Sequence, residues 1–94
     1  MHTLRVEHPV ADFAAWKRSF DSDPAQRAMS GVRRYRVLRA VDDPRFVTVD
    51  LEFDTLAAAE AFLAVLRGVW GRVTGTLVAA PQGRLLEAVE VREY

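Results

Sequence analysis

The segment Phe46-Val47-Thr48-Val49-Asp50-Leu51-Glu52-Phe53 decides how the rest of the chain is read. Val47, Val49, Leu51 and Phe53 alternate with Thr48, Asp50 and Glu52, the period of two expected of a strand with one buried and one wet face. Just before it, Asp42-Asp43-Pro44 is a cluster of turn formers. Val32 to Val41 reads as another strand, with Tyr35 and Val37 set against Arg34 and Arg36, and so short a connection makes the two strands an antiparallel hairpin. On the other side, Asp54 or Thr55 can cap a helix whose Leu56, Ala59, Leu63, Leu66 and Trp70 keep a stripe at helical spacing. Gly68, Gly71 and Gly75 each cost roughly 1 kcal/mol against alanine inside a helix. A bent or broken extension is therefore expected over Val69 to Leu77.

The flanks repeat the same grammar. Leu4, Val6 and His8 alternate with Arg5 and Glu7 as a first strand, which Pro9 ends because it has no amide hydrogen for a ladder. Asp12 can cap a helix with Phe13, Trp16 and Phe20 on one face. Asp23-Pro24-Ala25-Gln26 reads as a second helical start, and Gly31 stands where a left-handed terminal residue belongs. Pro81-Gln82-Gly83 is expected to turn into a last strand over Arg84 to Val91. The order strand–helix–strand–strand–helix–strand predicts one α+β domain over residues 1–94, ferredoxin-like (βαββαβ), with a four-stranded antiparallel sheet and both helices on one face.

On that plan the helix-facing side of the sheet carries Leu4, Val6, His8, Tyr35, Val37, Val47, Val49, Leu51, Phe53, Leu85 and Val89, and Val91 if the strand runs that far. The other side carries Arg5, Glu7, Arg34, Arg36, Asp50, Glu52 and Glu90. Charges of mixed sign can be solvated or can meet the same face of a second copy through crossed ion pairs. Surface pairs contribute little each, so they argue register more than strength. A homodimer through Arg5, Glu7, Arg34, Arg36, Asp50 and Glu52 is the expectation. A chain of 94 residues without a cysteine has neither disulfides nor thiolate sites to supplement a small core, which favours oligomerisation.

Thirteen basic and thirteen acidic residues cancel, giving no general electrostatic reason to bind nucleic acid or an anionic membrane. No apolar run approaches the ~20 residues of a membrane span. Met1-His2-Thr3-Leu4-Arg5-Val6 lacks the apolar centre of a signal peptide, so a cytoplasmic location is expected.

The run Val6-Glu7-His8-Pro9-Val10-Ala11-Asp12-Phe13-Ala14-Ala15-Trp16-Lys17 resembles the opening of small bacterial proteins of the dimeric α/β-barrel superfamily. That superfamily includes antibiotic-biosynthesis-monooxygenase-like and polyketide-cyclase-like domains. Tyr35-Arg36-Val37, Asp42-Asp43-Pro44 and Leu51-Glu52-Phe53-Asp54 fall where that group places its second strand, hairpin turn and third-strand exit. The resemblance spans nearly the whole chain, but its motifs are structural. It implies a dimer with two sheets facing each other and helices outside, and a pocket between each sheet and its helices. Members include cofactor-free oxygenases, isomerases and haem-handling proteins, and no signature in this chain selects one of them.

His8 is the sharpest candidate for chemistry. It ends the first strand on the face of Leu4 and Val6, and an imidazole titrating near neutrality could take a proton from an acidic phenol or enol. The plainer reading is a histidine bonded to a backbone carbonyl or to Asp12, holding the strand–helix junction. Trp16, Tyr35, Phe53, Phe62 and Trp70 could wall a flat apolar pocket for an aromatic ligand, although aromatics at such spacing usually form the core. No metal site is expected, since His2 and His8, the only histidines, lie about 20 Å apart along one strand. No cofactor is called for by the residues, one histidine being slender ground for haem. Arg33, Arg34, Arg36 and Arg39 cluster, but with Asp50 and Glu52 on the next strand their expected use is cross-strand pairing. There is no phosphate-binding glycine loop and no nucleophile motif.

Two functional readings follow. In the first, the dimer binds or transforms a small aromatic or polyketide-like molecule without a metal, with His8 as base. In the second, it is a non-catalytic interaction or regulatory module. A cavity beside His8 would favour the first, and a filled core the second.

Overall fold

The computed structural model describes residues 1–73 and 79–94. Six elements appear in the expected order: β1 (His2–Pro9), α1 (Phe13–Asp21), β2 (Val32–Ala40), β3 (Asp43–Phe53), α2 (Leu56–Val73) and β4 (Gln82–Glu87). The strands lie in the order β2-β3-β1-β4 and all pair antiparallel. This is the ferredoxin-like arrangement, with β1 and β3 central and β2 and β4 at the edges.

The central strands carry the core because each has a neighbour on both sides. Leu4, Val6, Val47, Val49, Leu51 and Phe53 are buried on one face, under Trp16 of α1 and Ala59, Phe62 and Leu63 of α2. In α1, Asp12 occupies the N-cap with extended backbone and accepts the first helical bond, from Trp16 N–H, through its carbonyl. In α2 the cap is Thr55, whose Oγ1 accepts from Ala58 N–H at 3.1 Å. Gly83 on β4 lies where α2 comes down onto the sheet: a Cβ there would stand 2.6 Å from Leu63 Cδ1. The absent side chain is what lets helix and edge strand approach.

Several expectations at segment ends are corrected. The helix does not break after Arg67 but runs through Gly68 and Gly71 to Val73. Both glycines face open space, while Leu66 and Trp70 pack against the core, and that packing outweighs the propensity penalty. The remainder of the expected extension, residues 74–77, lies outside the described residues. Asp23-Pro24-Ala25-Gln26 starts no helix, because Asp23 and Gln26 adopt left-handed backbone, φ 56° and 51°. The Asp23 carboxylate does accept from Arg27 N–H at 2.9 Å, but only one turn follows. Gly31, at φ 95°, closes it as expected: Val32 N–H reaches Arg27 C=O and Gly31 N–H reaches Ala28 C=O, the bonding of a Schellman end.

Asp43 and Pro44 belong to β3 rather than to the turn, which is Val41-Asp42 alone, with an irregularity at Arg39/Ala40 adjusting the register. Pro44 near the start of a strand leaves the inner ladder intact. Likewise Gln82 and Gly83 are strand, paired with Glu7 and Val6. Strand β4 stops at Glu87, so Val89, Glu90 and Val91 lie outside the sheet, and both valines are exposed rather than helix-facing.

The open face of the sheet carries the expected cross-strand pairs within one chain. Arg5, opposite Asp50, grips it with two hydrogen bonds, Nε to Oδ1 at 2.9 Å and Nη2 to Oδ2 at 3.0 Å, while Arg36 reaches the same carboxylate at 3.4 Å from β2. Arg34 pairs with Glu52 at 2.6 Å, and Arg33 with Asp54 at 2.7 Å. The fourth member of the cluster, Arg39, lies over the Phe13 ring instead. Asp50 is buried at 5% exposure. The Arg5 hydrogen bond, aided by the charges of Arg5 and Arg36 and opposed by burial, holds its carboxyl below the ordinary value of 3.8. A carboxyl depressed on folding contributes stability that is complete above its unfolded value and is lost as pH falls through the folded value. Asp50→Asn is therefore expected to cost about 1–3 kcal/mol at neutral pH, the worth of hydrogen bonds to a charged group. Urea titrations from pH 7 to pH 2 should also show the mutant losing less stability than wild type below 3.8. Equal acid sensitivity of the two proteins would remove Asp50 from this role.

Candidate functional site

His8 is the last inward-facing residue of β1, where the strand turns through Pro9 towards α1. At 3% exposure it is one of two buried polar side chains among the described residues, the other being Asp50 on the opposite face. Its Nδ1 lies 3.3 Å from the Pro9 carbonyl oxygen. A carbonyl can only accept, so Nδ1 carries the proton, and Nε2 is left as the basic nitrogen. Trp16 meets the imidazole edge-on, ring centres 5.6 Å apart. Burial pulls His8 below its ordinary 6.5, with the Pro9 carbonyl opposing, so at neutral pH the ring is uncharged.

Beside it, between the sheet and both helices, is a cavity of about 80 Å³. Val6, Val49 and Leu51 form its floor on β1 and β3. Trp16 and Phe20 come from α1, Phe62, Leu66, Val69 and Trp70 from α2, and Pro24, Ala25 and Arg27 from the loop between α1 and β2. A single water needs only ~10–15 Å³ of such room, so the space suits a small organic group. The rings line up along α1: Trp16 and Phe20 have centres 5.2 Å apart, and the Arg27 guanidinium carbon lies 4.0 Å from the Phe20 centre.

Of the six residues singled out from sequence, His8, Trp16, Phe62 and Trp70 line this one cavity. Phe53 and Tyr35 lie outside it. Phe53 pairs with His2 at the far end of β1 from His8, and its wholly buried ring packs on Phe62 at 5.5 Å. Tyr35 points to the helix side as expected. However, it sits on edge strand β2, 41% exposed, against the outer side of Phe20 at 5.2 Å. Arg27 and Ser19 were not anticipated as wall residues. Ser19 lies one position from the Phe13-Trp16-Phe20 stripe, and nothing periodic marks Arg27. Among the described residues no three histidine, aspartate or glutamate side chains converge as a metal-binding group, and no helix is long and apolar enough to cross a membrane.

No protein-family model matches the chain. No curated protein matches it either. Solved structures do. SnoaB, a cofactor-independent oxygenase from Streptomyces nogalater, superposes with a TM-score of 0.76 at 19% identity, over 96% of this chain and 94% of its own. The two share the ferredoxin-like fold. A Nitrosomonas europaea protein provisionally assigned as an antibiotic biosynthesis monooxygenase has the same ferredoxin-like fold, with a TM-score of 0.72 at 19% identity over 96% of this chain and 100% of its own. A dimeric ferredoxin-like protein from an uncultured marine organism reaches 0.72 at 8% identity with each chain covered completely. Identities this low establish the fold alone.

Proposed function

We propose that the protein is a homodimer that binds a small planar aromatic or polyketide-like molecule in the cavity beneath α1 and α2, and draws a proton from its phenol or enol through His8 Nε2. The observation that carries this reading is the placement of a neutral, buried imidazole in the wall of a mostly apolar, aromatic-lined cavity, the ordinary make-up of a small-molecule site. Trp16, Phe62 and Trp70 act as the walls. Tyr35 braces the outer side of Phe20, and Phe53 supports Phe62 from below. A ligand anion generated in this way is the starting point for metal-free attack by dioxygen or for ring closure. The likeness in fold to a cofactor-independent oxygenase and to monooxygenase-like proteins supports that direction.

The dimer forms through the open sheet face, with Arg5, Glu7, Arg34, Arg36, Asp50 and Glu52 at its centre. A dimeric ferredoxin-like protein among the structural matches supports this assembly. Within each chain Arg5 and Arg36 share Asp50 and Arg34 meets Glu52, so these side chains enter the interface already paired, with one positive charge in excess. Light scattering should return twice the chain mass of 10.6 kDa. A cytoplasmic setting fits a chain whose described helices are none of them membrane-spanning.

A thermal-shift panel of fused-ring phenols tests the cavity. A binder present at ~100 times its Kd should contribute about 2.7 kcal/mol and raise the melting temperature measurably. Val69→Trp, which fills the cavity from α2, should abolish that shift. Binding that survives Val69→Trp would place the ligand elsewhere.

A further inference from the structure

Among the described residues, the polar side chains lining the cavity are His8, Ser19, Arg27 and the two tryptophan indoles, and no carboxylate is among them. His8 is held neutral by burial, which leaves Arg27 as the charged group. Its side chain is 15% exposed, stacked over Phe20 at 4.0 Å and over Tyr35 at 4.9 Å. One of its nitrogens, Nη1, is tethered by donation to the Phe20 carbonyl at 2.8 Å.

The nearest carboxylate is Asp23, 3.5 Å from the same nitrogen. Asp23 lines the shallow outer depression rather than the cavity, Arg27 stands in the wall between the two and borders both, and one Asp23 oxygen also receives Arg27 N–H. Among the described residues, Nε and Nη2 of Arg27 have no hydrogen-bond partner. The guanidinium is thus fixed in place by one nitrogen and two rings, with the other donors of its fork uncommitted. A rigid planar fork of this kind matches the two oxygens of a carboxylate.

The spacing also matters. His8 and Arg27 stand at opposite ends of one row of rings, separated by Trp16 and Phe20. A molecule lying along that row meets a base at one end and a cation at the other.

We propose that the ligand is a planar aromatic acid, whose carboxylate is taken by Arg27 while its ring system lies along Trp16 and Phe20. The inference rests on the ligand-binding reading above and adds the chemical class of the ligand. Arg27 thereby sets specificity and takes no part in proton transfer.

The test uses two probes of one shape, 2-naphthoate and the neutral 2-naphthamide, titrated calorimetrically into the full-length protein. Wild type should bind the acid about 10- to 100-fold more tightly than the amide, the range expected of a charge-assisted pair. Arg27→Gln should bring the ratio of the two affinities close to one. Arg27→Lys, which keeps the charge but not the fork, should retain part of the preference. Because Arg27 also ties the loop to Phe20, the readout is the ratio of the two affinities, which loosening of the loop alone would not change.

A wild type that does not distinguish the probes, a preference that survives Arg27→Gln, or equal weakening of both probes would each overturn the assignment. In those cases binding of the amide still supports the cavity reading. Failure of both probes to bind wild type would overturn the two together.

Discussion

Phe53→Ala is expected to remove about 3–5 kcal/mol of stability, the usual cost of truncating a fully buried phenylalanine. The ring is wholly inaccessible, lies on β3 between His2 of β1 and Val32 of β2, and packs against Phe62 of α2. It therefore joins three strands and a helix at one point. The turn at Gly31 closes over it too, since a Cβ on Gly31 would stand 4.0 Å from Phe53 Cδ1. Small domains have about 5–15 kcal/mol in total, so the variant should be partly unfolded at 37 °C. Urea denaturation of Phe53→Ala beside Phe53→Leu measures this, the leucine costing much less because most of the volume is kept. A loss below about 1 kcal/mol would mean that the ring is not packed as described.

His8 carries the second large effect, and it has two separable parts. The imidazole titrates lower in the folded protein than the ordinary 6.5, because burial disfavours its cation. The unfolded chain thus binds the proton first as pH falls, and folding stability declines below about 6.5 until the folded group titrates in turn. Above that value the two states are alike and the contribution is complete. His8→Gln should flatten the stability profile between pH 7 and pH 5, a window well above the one Asp50 controls. The other part is kinetic. For any phenolic ligand that the cavity accepts and converts, His8→Gln should slow conversion by about 10²–10⁴-fold, the range for a positioned general base. Unchanged turnover with a flattened pH profile would leave His8 as a structural residue of the β1–α1 junction.

The parts of the fold that could be read from sequence are those written in long periodic runs. β3 and the inner stripe of α2 repeat their apolar residues often enough that only one register buries them. The open-face charges could be paired correctly because a period of two places Arg34, Arg36, Asp50 and Glu52 on one side. Elsewhere the decisive quantity is which neighbours a segment finds, and local sequence does not contain that. Alternation puts Tyr35 on the correct side, yet β2 is an edge strand, so a position that would be core on β3 is half in water. Val89 and Val91 continue the alternation of β4, but the ladder with β1 closes at the His2 and Glu87 pair, and past it no strand among the described residues receives them.

The same division runs through the site. His8, Trp16, Phe62 and Trp70 converge because each belongs to a regular element whose inner face was legible. Arg27 depends on left-handed backbone at Asp23 and Gln26, in a loop where a nominal helix start produces one turn only. Its approach to Phe20 is a product of that loop's path, so no spacing rule could have placed it.

The row of rings in the cavity wall has one more consequence. The chain contains two tryptophans, and both of them, Trp16 and Trp70, face this space. When the excitation wavelength selects indole over the two tyrosines, ultraviolet emission from the unlabelled protein therefore originates at the cavity. A molecule entering it displaces solvent from, or stacks against, the two indoles that produce the whole signal, so occupancy can be followed optically, in real time, without attaching a dye.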